Sequence, residues 1–304
     1  MATNTDNLPI GAERPLWLVL APGIFLAMWS TGYVAAKFGL DYIEPMTFLA
    51  LRFACVVAIM AVLFVILHPP LPKSRAEWLH LAIVGFLLQA MYFGMCYMAF
   101  TSGLSVGTLA LILSLQPIIV ALIAPRWNGE TIGWQCWAGL VLGLTGAVIV
   151  IVARSEIAVP SAIGFVFASL ALFGITGGSL WEKRFGVAQH PVMSNLVGFS
   201  VGLAGIIPFM VAFETMEIVW TWQLIGALVY LIIASSLIAV GLLLAMIRAG
   251  EVSKVSALFF LVPPMAAAVA WIVLDEIMPP LAWVGMVIAG LGVFMATTKK
   301  QAAA

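Results

Sequence analysis

Charged residues are scarce in this sequence. Only 9% of the 304 residues are charged, whereas 64% are hydrophobic. A soluble domain of this size carries about a quarter charged residues. The net charge is zero, so nothing in the composition attracts nucleic acid or an anionic partner. The composition excludes an ordinary soluble domain and indicates a chain that lies in a lipid bilayer.

Signals for metals, disulfides and membrane-embedded catalysis are weak. Cys55, Cys96 and Cys136 lie inside apolar runs without C-x-x-C spacing, as small hydrophobic residues do. There is no H-E-x-x-H motif and no acidic pair inside an apolar run. We therefore predict no cofactor and no metal. A membrane-embedded enzyme is the remote alternative.

Acidic residues are absent from the middle of every apolar run. All thirteen are predicted in loops or at span ends, and His68, His80 and His190 in loops. A proton-coupled pump needs a group that titrates within the membrane path. The sequence therefore favours facilitated transport or exchange over carboxylate-based proton antiport. It also favours a zwitterionic or weakly amphipathic substrate over a strong ion.

Long apolar runs are abundant instead. A transmembrane helix needs about 20 predominantly apolar residues. Breaks at charged, glycine, proline and polar clusters predict an all-α membrane protein with ten spans. They lie near residues 16–36, 46–67, 78–99, 104–124, 133–153, 160–180, 191–213, 222–246, 253–273 and 281–298.

The ten spans are predicted to form two copies of one unit. Several features recur at an offset of 146 or 147 residues, and an odd number of spans per copy turns the second copy upside down. We therefore predict inverted five-helix repeats over residues 1–154 and 157–304, around a central cavity with a substrate site at the midplane. The paired features are Lys37 and Lys183, Pro45 and Pro191, Gly103 and Gly250, Pro117 and Pro264, Trp137 and Trp283, and Gly146 and Gly292.

Basic residues predict the orientation. If the N-terminus is cytoplasmic, ten of the thirteen lysines and arginines fall on the cytoplasmic side, as the positive-inside rule requires. Both termini are therefore predicted to be cytoplasmic. The remaining three are Lys37, Arg52 and Arg154.

Prolines inside two spans mark predicted kinks. Pro117 in the fourth span and Pro263-Pro264 in the ninth occupy matching places in the two repeats. Each proline removes a donor and frees a carbonyl one turn earlier. Such a break is tolerated where the backbone faces protein or a wet cavity. These helices could line the cavity and gate it, or the prolines could simply be packing kinks.

Polar and aromatic residues at membrane depth are the candidate substrate contacts. Trp29 lies about 20 Å along the first helix, where its indole N–H needs a partner or water. Gln116 is an amide at depth and must also be satisfied. Each residue alone could be ordinary packing, but together they converge on the same helix set. The candidates are Trp29, Ser30, Tyr33, Tyr92, Met95, Ser114, Gln116, Thr176, Ser236 and Phe260.

Arg52 is the single basic residue within an apolar run. It could hold a substrate carboxylate. Alternatively, it could snorkel to the interface or pair with Glu44 or Asp41. The sequence alone favours the second interpretation.

The motifs resemble a known family. The stretch from Trp29 to Lys37, with Pro45 and Arg52, resembles the first-helix motif of EamA-type members of the drug/metabolite transporter superfamily. Gln116-Pro117 with Glu130, and Val262-Pro263-Pro264 with Glu276, are similar to the ends of the two EamA repeats. The resemblance implies ten helices around a central cavity that opens alternately to each side.

Within that family the chain looks most like bacterial exporters of aromatic and related amino acids. The resemblance implies a neutral or aromatic amino acid, or a related small metabolite, as substrate, and the bacterial inner membrane as location. A monomer or weak dimer is expected. Within transport, the alternative is a multidrug or nucleotide-sugar carrier. Cationic drugs would require acidic residues within the membrane, however, and phosphorylated substrates would require paired lysines or arginines.

Overall fold

The computed structural model describes residues 16–104, 106–154, 162–186, 189–250, 252–274 and 278–298, and nearly all of them are helical. The spans are numbered α1 to α10. They are α1 Leu16–Gly39, α2 Pro45–Leu67, α3 Arg75–Thr101, α4 Val106–Leu113 with Gln116–Trp127, α5 Trp134–Arg154, α6 Ala162–Phe185, α7 Pro191–Phe213, α8 Trp222–Ala249, α9 Val252–Ala257 with Leu258–Leu261 and Val262–Leu274, and α10 Pro280–Thr297.

The prediction of ten membrane spans is confirmed, with boundaries that differ by a few residues. Nine helices in the described part of the chain are long and apolar enough to cross a bilayer, and the 24-residue α1 is also of spanning length. Within the described ranges the only β-pairing is an isolated bridge between Ile43 and Ile218. The two residues between the expected repeats, Ser155 and Glu156, lie outside the described residues, as do Asp275, Glu276, Lys299 and Lys300.

Short connections make successive helices run in opposite directions. Pro45 and Pro191 start α2 and α7 at the first helical turn, where a missing N–H costs nothing. Ser74 and Thr221 cap α3 and α8 by accepting from backbone N–H groups at 3.2 Å. Because each half contains five spans, α6 enters the bilayer from the face opposite to α1. The two halves are therefore inverted repeats.

Glycines join α5 to α10. A Cβ on Gly292 would lie 2.2 Å from the backbone nitrogen of Gly143, and one on Gly146 would lie 2.2 Å from that of Ala289. Such distances allow only glycine, so the two backbones pack directly against each other. This seam ties one repeat to the other.

The fourth and ninth spans are interrupted at matching positions. The α4 helix breaks after Leu113 and resumes at Gln116, while α9 passes through a 3₁₀ turn at Leu258–Leu261. Gln116 donates from Nε2 to the Ser256 hydroxyl at 3.1 Å, so the two interruptions are bonded to each other across the repeat boundary.

The third and eighth spans contain matching π-helical segments, Phe86–Phe93 and Leu231–Ala239. A π segment widens the helix locally and often marks a functional site. Here the two segments face the interior between the repeats, where they contribute buried polar residues such as Gln89 and Ser235.

Each repeat caps a helix of the other. The Glu214 carboxylate accepts from the backbone N–H groups of Met46 and Thr47 at 2.6 and 2.7 Å, at the start of α2. On the opposite face, the Glu130 carboxylate accepts from those of Val252 and Ser253 at 2.6 and 3.3 Å, at the start of α9. An anion is stabilised at a helix N-terminus, so these contacts tie the two repeats together at both faces.

Candidate functional site

A cavity lies between α1, α2, α3 and α8, in the half of the bundle nearest the α1–α2 loop. It contains about 350 Å³ of space free of protein atoms, part of it open to solvent. We call it the first cavity. Its lining residues are Trp29, Gly32, Tyr33, Ala36, Arg52, Tyr92, Phe93, Cys96, Tyr97, Phe100, Leu231 and Ser235.

Aromatic rings form one wall of the first cavity. Trp29 stacks on Tyr92 with ring centroids 5.9 Å apart and lies 5.8 Å from the ring of Phe93. Phe259 of α9 meets the Trp29 ring edge-on at 5.5 Å. Offset and edge-on contacts are the favoured geometries for aromatic pairs. The wall is therefore a preformed, rigid surface for an apolar or aromatic group.

Two polar groups are set into this wall. The hydroxyls of Tyr33 and Tyr92 share a hydrogen bond of 2.5 Å. The indole N–H of Trp29 is buried beside these hydroxyls but makes no hydrogen bond of good geometry with them. A buried donor without a partner costs about 1–3 kcal/mol, so this N–H is available to a ligand that brings an acceptor.

Arg52 supplies the positive charge of the first cavity. It is only 1% exposed, and its Nε and Nη2 donate to the hydroxyls of Ser236 and Ser235 at 2.7 and 3.0 Å. Its guanidinium lies 4.7 Å from the Phe93 ring centroid, within the range of a cation–π contact. Both of these hydrogen-bond partners are neutral, and no carboxylate of the described residues pairs with it.

The interpretation of Arg52 as a snorkelling or loop-paired residue is wrong. Glu44 instead accepts hydrogen bonds from the Thr215 hydroxyl and the Met216 N–H, at 3.0 and 2.8 Å. Arg52 points inward because α2 presents this face to α8, where two adjacent serines of the π segment act as acceptors. Sequence spacing within α2 could not show those partners, which lie more than 180 residues away.

The structure separates the other candidates from the first cavity. Gln116 bonds to Ser256, Ser114 donates to the Leu111 carbonyl at 2.6 Å, and Phe260 packs beside Gly143. Residues of α4 and α9 are absent from the lining of the first cavity, because the two interruptions pack on each other and only Phe259 reaches Trp29. Ser30, Met95, Thr176, Pro117, Pro263 and Pro264 also lie outside the lining.

The candidates from the sequence left out several lining residues, among them Phe93, Tyr97, Phe100 and Ser235. Tyr97 and Phe100 follow Tyr92 by about one and two helical turns. Extending the helical spacing from Tyr92 would have found them. Ser235 and Ser236 were both visible in the sequence, but which of them faces the cavity depends on the π register of α8.

The sequence analysis also missed a buried ion pair in the half of the bundle away from the first cavity. Glu182 lies three residues before the end of α6, as predicted for a span-end residue, yet it is only 2% exposed and forms an ion pair with Arg248 of α8. His80 was predicted in a loop but lies within the first helical segment of α3, Arg75–Gly85, and stacks on the Phe185 ring at 5.1 Å.

Two G-x-S-x-G stretches occur, at residues 103–107 and 198–202. In hydrolases this motif places the serine on a sharp turn between a strand and a helix. The second stretch lies wholly inside the helix α7. The first spans the α3–α4 connection, where the structure shows helix on both sides. Neither has the strand–turn–helix setting that the hydrolase motif requires.

Inverted five-helix repeats, interrupted helices and a polar-aromatic cavity between the repeats together define a secondary transporter. The chain belongs to the EamA-like transporter family, whose model matches residues 16–152 and 161–298.

Curated relatives include transporters with named substrates. The chain is 25% identical over 282 residues to a probable amino-acid metabolite efflux pump of Escherichia coli, an alignment that covers 90% of this chain and 92% of that protein. It is 27% identical over 201 residues to a probable terminal-alkyne amino-acid exporter of Streptantibioticus cattleyicolor, covering 62% and 63% of the two chains.

A solved crystal structure has the same fold. It superposes with a TM-score of 0.77 at 19% sequence identity and covers 92% of this chain and 97% of its own. At this identity the likeness concerns the fold alone.

Proposed function

We propose that this protein exports neutral or aromatic amino acids, or closely related small metabolites, by alternating access. The observation that carries the proposal is Arg52, a buried cation that faces an aromatic cavity and has only neutral hydrogen-bond partners among the described residues. A buried charge is stable when it is paired. A substrate carboxylate would supply the missing anion.

The first cavity complements each part of an amino acid. The carboxylate would accept from Arg52 and from the unpartnered indole N–H of Trp29. The ammonium would meet the hydroxyl oxygens of Tyr33 and Tyr92 and the faces of the rings. An apolar side chain would lie against the wall formed by Trp29, Tyr92 and Phe93.

Alternating access fits the state of the two faces. The first cavity lies toward the α1–α2 loop, while polar contacts join the helices at the opposite face. There Glu130 caps α9, Asn128 donates to the Leu180 carbonyl at 3.2 Å, and Glu182 pairs with Arg248. Transport would require these contacts to open while the Glu214 cap and the aromatic wall close.

We propose exchange without a carboxylate proton relay, because no acidic residue lines the first cavity and the buried Glu182 of the opposite half is paired with Arg248. The same feature is unfavourable for a cationic drug. A nucleotide sugar would need more than the single arginine to hold its phosphates. The proposal also includes a bacterial inner-membrane location, both termini in the cytoplasm, and repeats that extend over residues 1–154 and 157–304.

Binding to the purified protein in nanodiscs tests the role of Arg52. We expect wild type to bind labelled phenylalanine and to discriminate strongly against phenethylamine, which lacks the carboxylate. Arg52→Gln should weaken phenylalanine binding by about tenfold or more, because a charge-assisted hydrogen bond contributes about 1.5–3 kcal/mol. Arg52→Lys should restore part of the affinity, since it keeps the charge but loses the fork.

The matched control is Arg126→Gln, an exposed arginine at the end of α4. It should bind phenylalanine like wild type. Equal affinity for phenylalanine and phenethylamine, or an Arg52→Gln protein that folds and binds normally, would contradict the proposed substrate contact.

A further inference from the structure

A second cavity lies in the other half of the bundle. It lies between α3, α6, α7 and α8, near the α2–α3 loop face, and contains about 300 Å³ of space free of protein atoms, part of it open to solvent. We call it the second cavity. Its polar lining consists of Gln89, Glu182, Ser194, Asn195 and Arg248.

The two cavities are related by the inverted repeat. Helices α1, α2, α3 and α8 correspond to α6, α7, α8 and α3 at an offset of five spans. Residues correspond as well, because four pairs of lining residues are separated by the repeat offset of 146. These pairs are Ala36 and Glu182, Arg52 and Gly198, Leu231 and Gly85, and Ser235 and Gln89.

The polar groups differ between the two cavities. Where the first cavity carries Arg52, the second has Gly198, whose small size lets α3 approach; a Cβ on Gly85 would lie 2.6 Å from the Gly198 Cα. The positive charge comes instead from Arg248, which donates to Glu182 and, at 3.2 Å, to the Ser194 hydroxyl. The second cavity therefore contains both a cation and an anion.

Gln89 indicates that the second cavity holds a ligand. It is only 3% exposed, it lies in the π segment of α3, and its Oε1 has no hydrogen-bond partner. An amide oxygen buried without a partner is costly. A ligand that brings an N–H donor into the cavity would remove that cost.

We propose that the second cavity is a further binding site for a zwitterionic α-amino acid, on the face opposite the first cavity. The carboxylate would accept from Arg248 and the Asn195 amide. The ammonium would donate to Glu182 and to the free oxygen of Gln89. Opposite charges then alternate around the ligand, so the Arg248–Glu182 pair does not have to break.

This inference rests on the proposed function, because it takes the same class of substrate. It places one amino-acid binding site at each end of the transport path. An amino acid would bind the second cavity on entering from the α2–α3 loop face, before the bundle opens toward the first cavity.

Equilibrium binding to the full chain in nanodiscs tests the inference, with labelled phenylalanine, tryptophan and threonine as probes. Wild type should bind about two equivalents of at least one probe at saturation. Gln89→Leu, which keeps the side-chain volume and removes the amide, should keep about one equivalent of wild-type affinity and bind the other about tenfold or more weakly, and so should Arg52→Gln. The combined variant should keep neither equivalent at wild-type affinity. Thermal unfolding checks that each variant is folded.

A variant control comes from the neighbouring helix. Gln223→Leu replaces an exposed glutamine at the start of α8, away from both cavities, and should keep both equivalents. A single equivalent that Arg52→Gln abolishes and Gln89→Leu leaves unchanged would overturn the second site and leave the proposed function intact. No binding of any probe to folded wild type would contradict both proposals.

Discussion

At the scale of the residue, the proposed sites rest on buried polar groups whose internal partners are incomplete or uncharged. Arg52 faces one cavity and Gln89 the other, and Trp29 adds a free N–H donor. The sequence identified Trp29 and Arg52 because each stands out within an apolar run. Gln89 did not stand out, since a lone amide in α3 carries no spacing signal and its free oxygen is visible only when its neighbours are known.

The indole N–H of Trp29 can be tested by a conservative change. Trp29→Phe keeps a ring in the wall and removes the donor, so we expect phenylalanine affinity to fall by about tenfold, the effect of one hydrogen bond to a charged acceptor. Isothermal titration or filter binding would measure the change.

A matched tryptophan provides the control for this change. Trp181 also has a buried N–H without a partner but lies outside both cavities. Trp181→Phe should therefore leave the affinity unchanged. If both variants behave alike, the N–H of Trp29 has no special role in binding.

At the scale of the element, glycine seams and acidic caps fix how the helices pack. Ten spans could be predicted because each is a long apolar run bounded by polar or proline residues. The interruptions of α4 and α9 were predictable from Pro117, Pro263 and Pro264. Their distance from the first cavity was not, because the sequence does not show that Gln116 and Ser256 join the interruptions to each other.

The close packing of α5 on α10 predicts that side chains added at glycines of this seam lower the stability of the protein, whereas side chains added elsewhere on α10 do not. Gly292→Val would place a Cβ 2.2 Å from the Gly143 nitrogen, so the helices would have to separate. Overpacking of this kind costs about 1–3 kcal/mol or more. We expect a lower melting temperature and poor yield of folded protein.

Gly290 on the same helix is the control, because a Cβ there meets nothing within 4 Å. Gly290→Val should leave the melting temperature close to that of wild type. Equal effects of the two substitutions would contradict the packing of the seam.

The acidic caps predict opposite changes at the two faces. Glu130→Gln weakens the cap on α9 and Glu214→Gln the cap on α2, each at a cost of about 1 kcal/mol. We expect Glu130→Gln to favour opening at the α2–α3 loop face and Glu214→Gln to favour opening at the other. Labelling rates of single cysteines placed at each face would measure the shift. Indistinguishable labelling in both variants would show that the caps do not bias the two states.

At the scale of the whole molecule, the inverted duplication was accessible from sequence, whereas only part of the candidate site was. Matching prolines, glycines and tryptophans at an offset of 146 or 147 residues predict the two repeats. The site depends on which faces of α1, α2, α3 and α8 converge, and their π segments alter the register on which a sequence pattern relies.

Orientation of the chain is a separate prediction from the basic residues. Fusions of green fluorescent protein and alkaline phosphatase to each terminus should report both ends in the cytoplasm. Termini on opposite faces would require an odd number of spans and would contradict the ten-span architecture.

Counterflow of labelled phenylalanine in proteoliposomes tests the central claim most directly. Vesicles that contain the wild-type protein and are loaded with unlabelled phenylalanine should accumulate the label transiently at equal pH on both sides. Vesicles with Arg52→Gln should accumulate much less label. Vesicles with Arg126→Gln should behave like wild type. Accumulation that requires a pH gradient would contradict uncoupled exchange, and undiminished accumulation in Arg52→Gln vesicles would contradict the binding of the substrate carboxylate by the buried arginine.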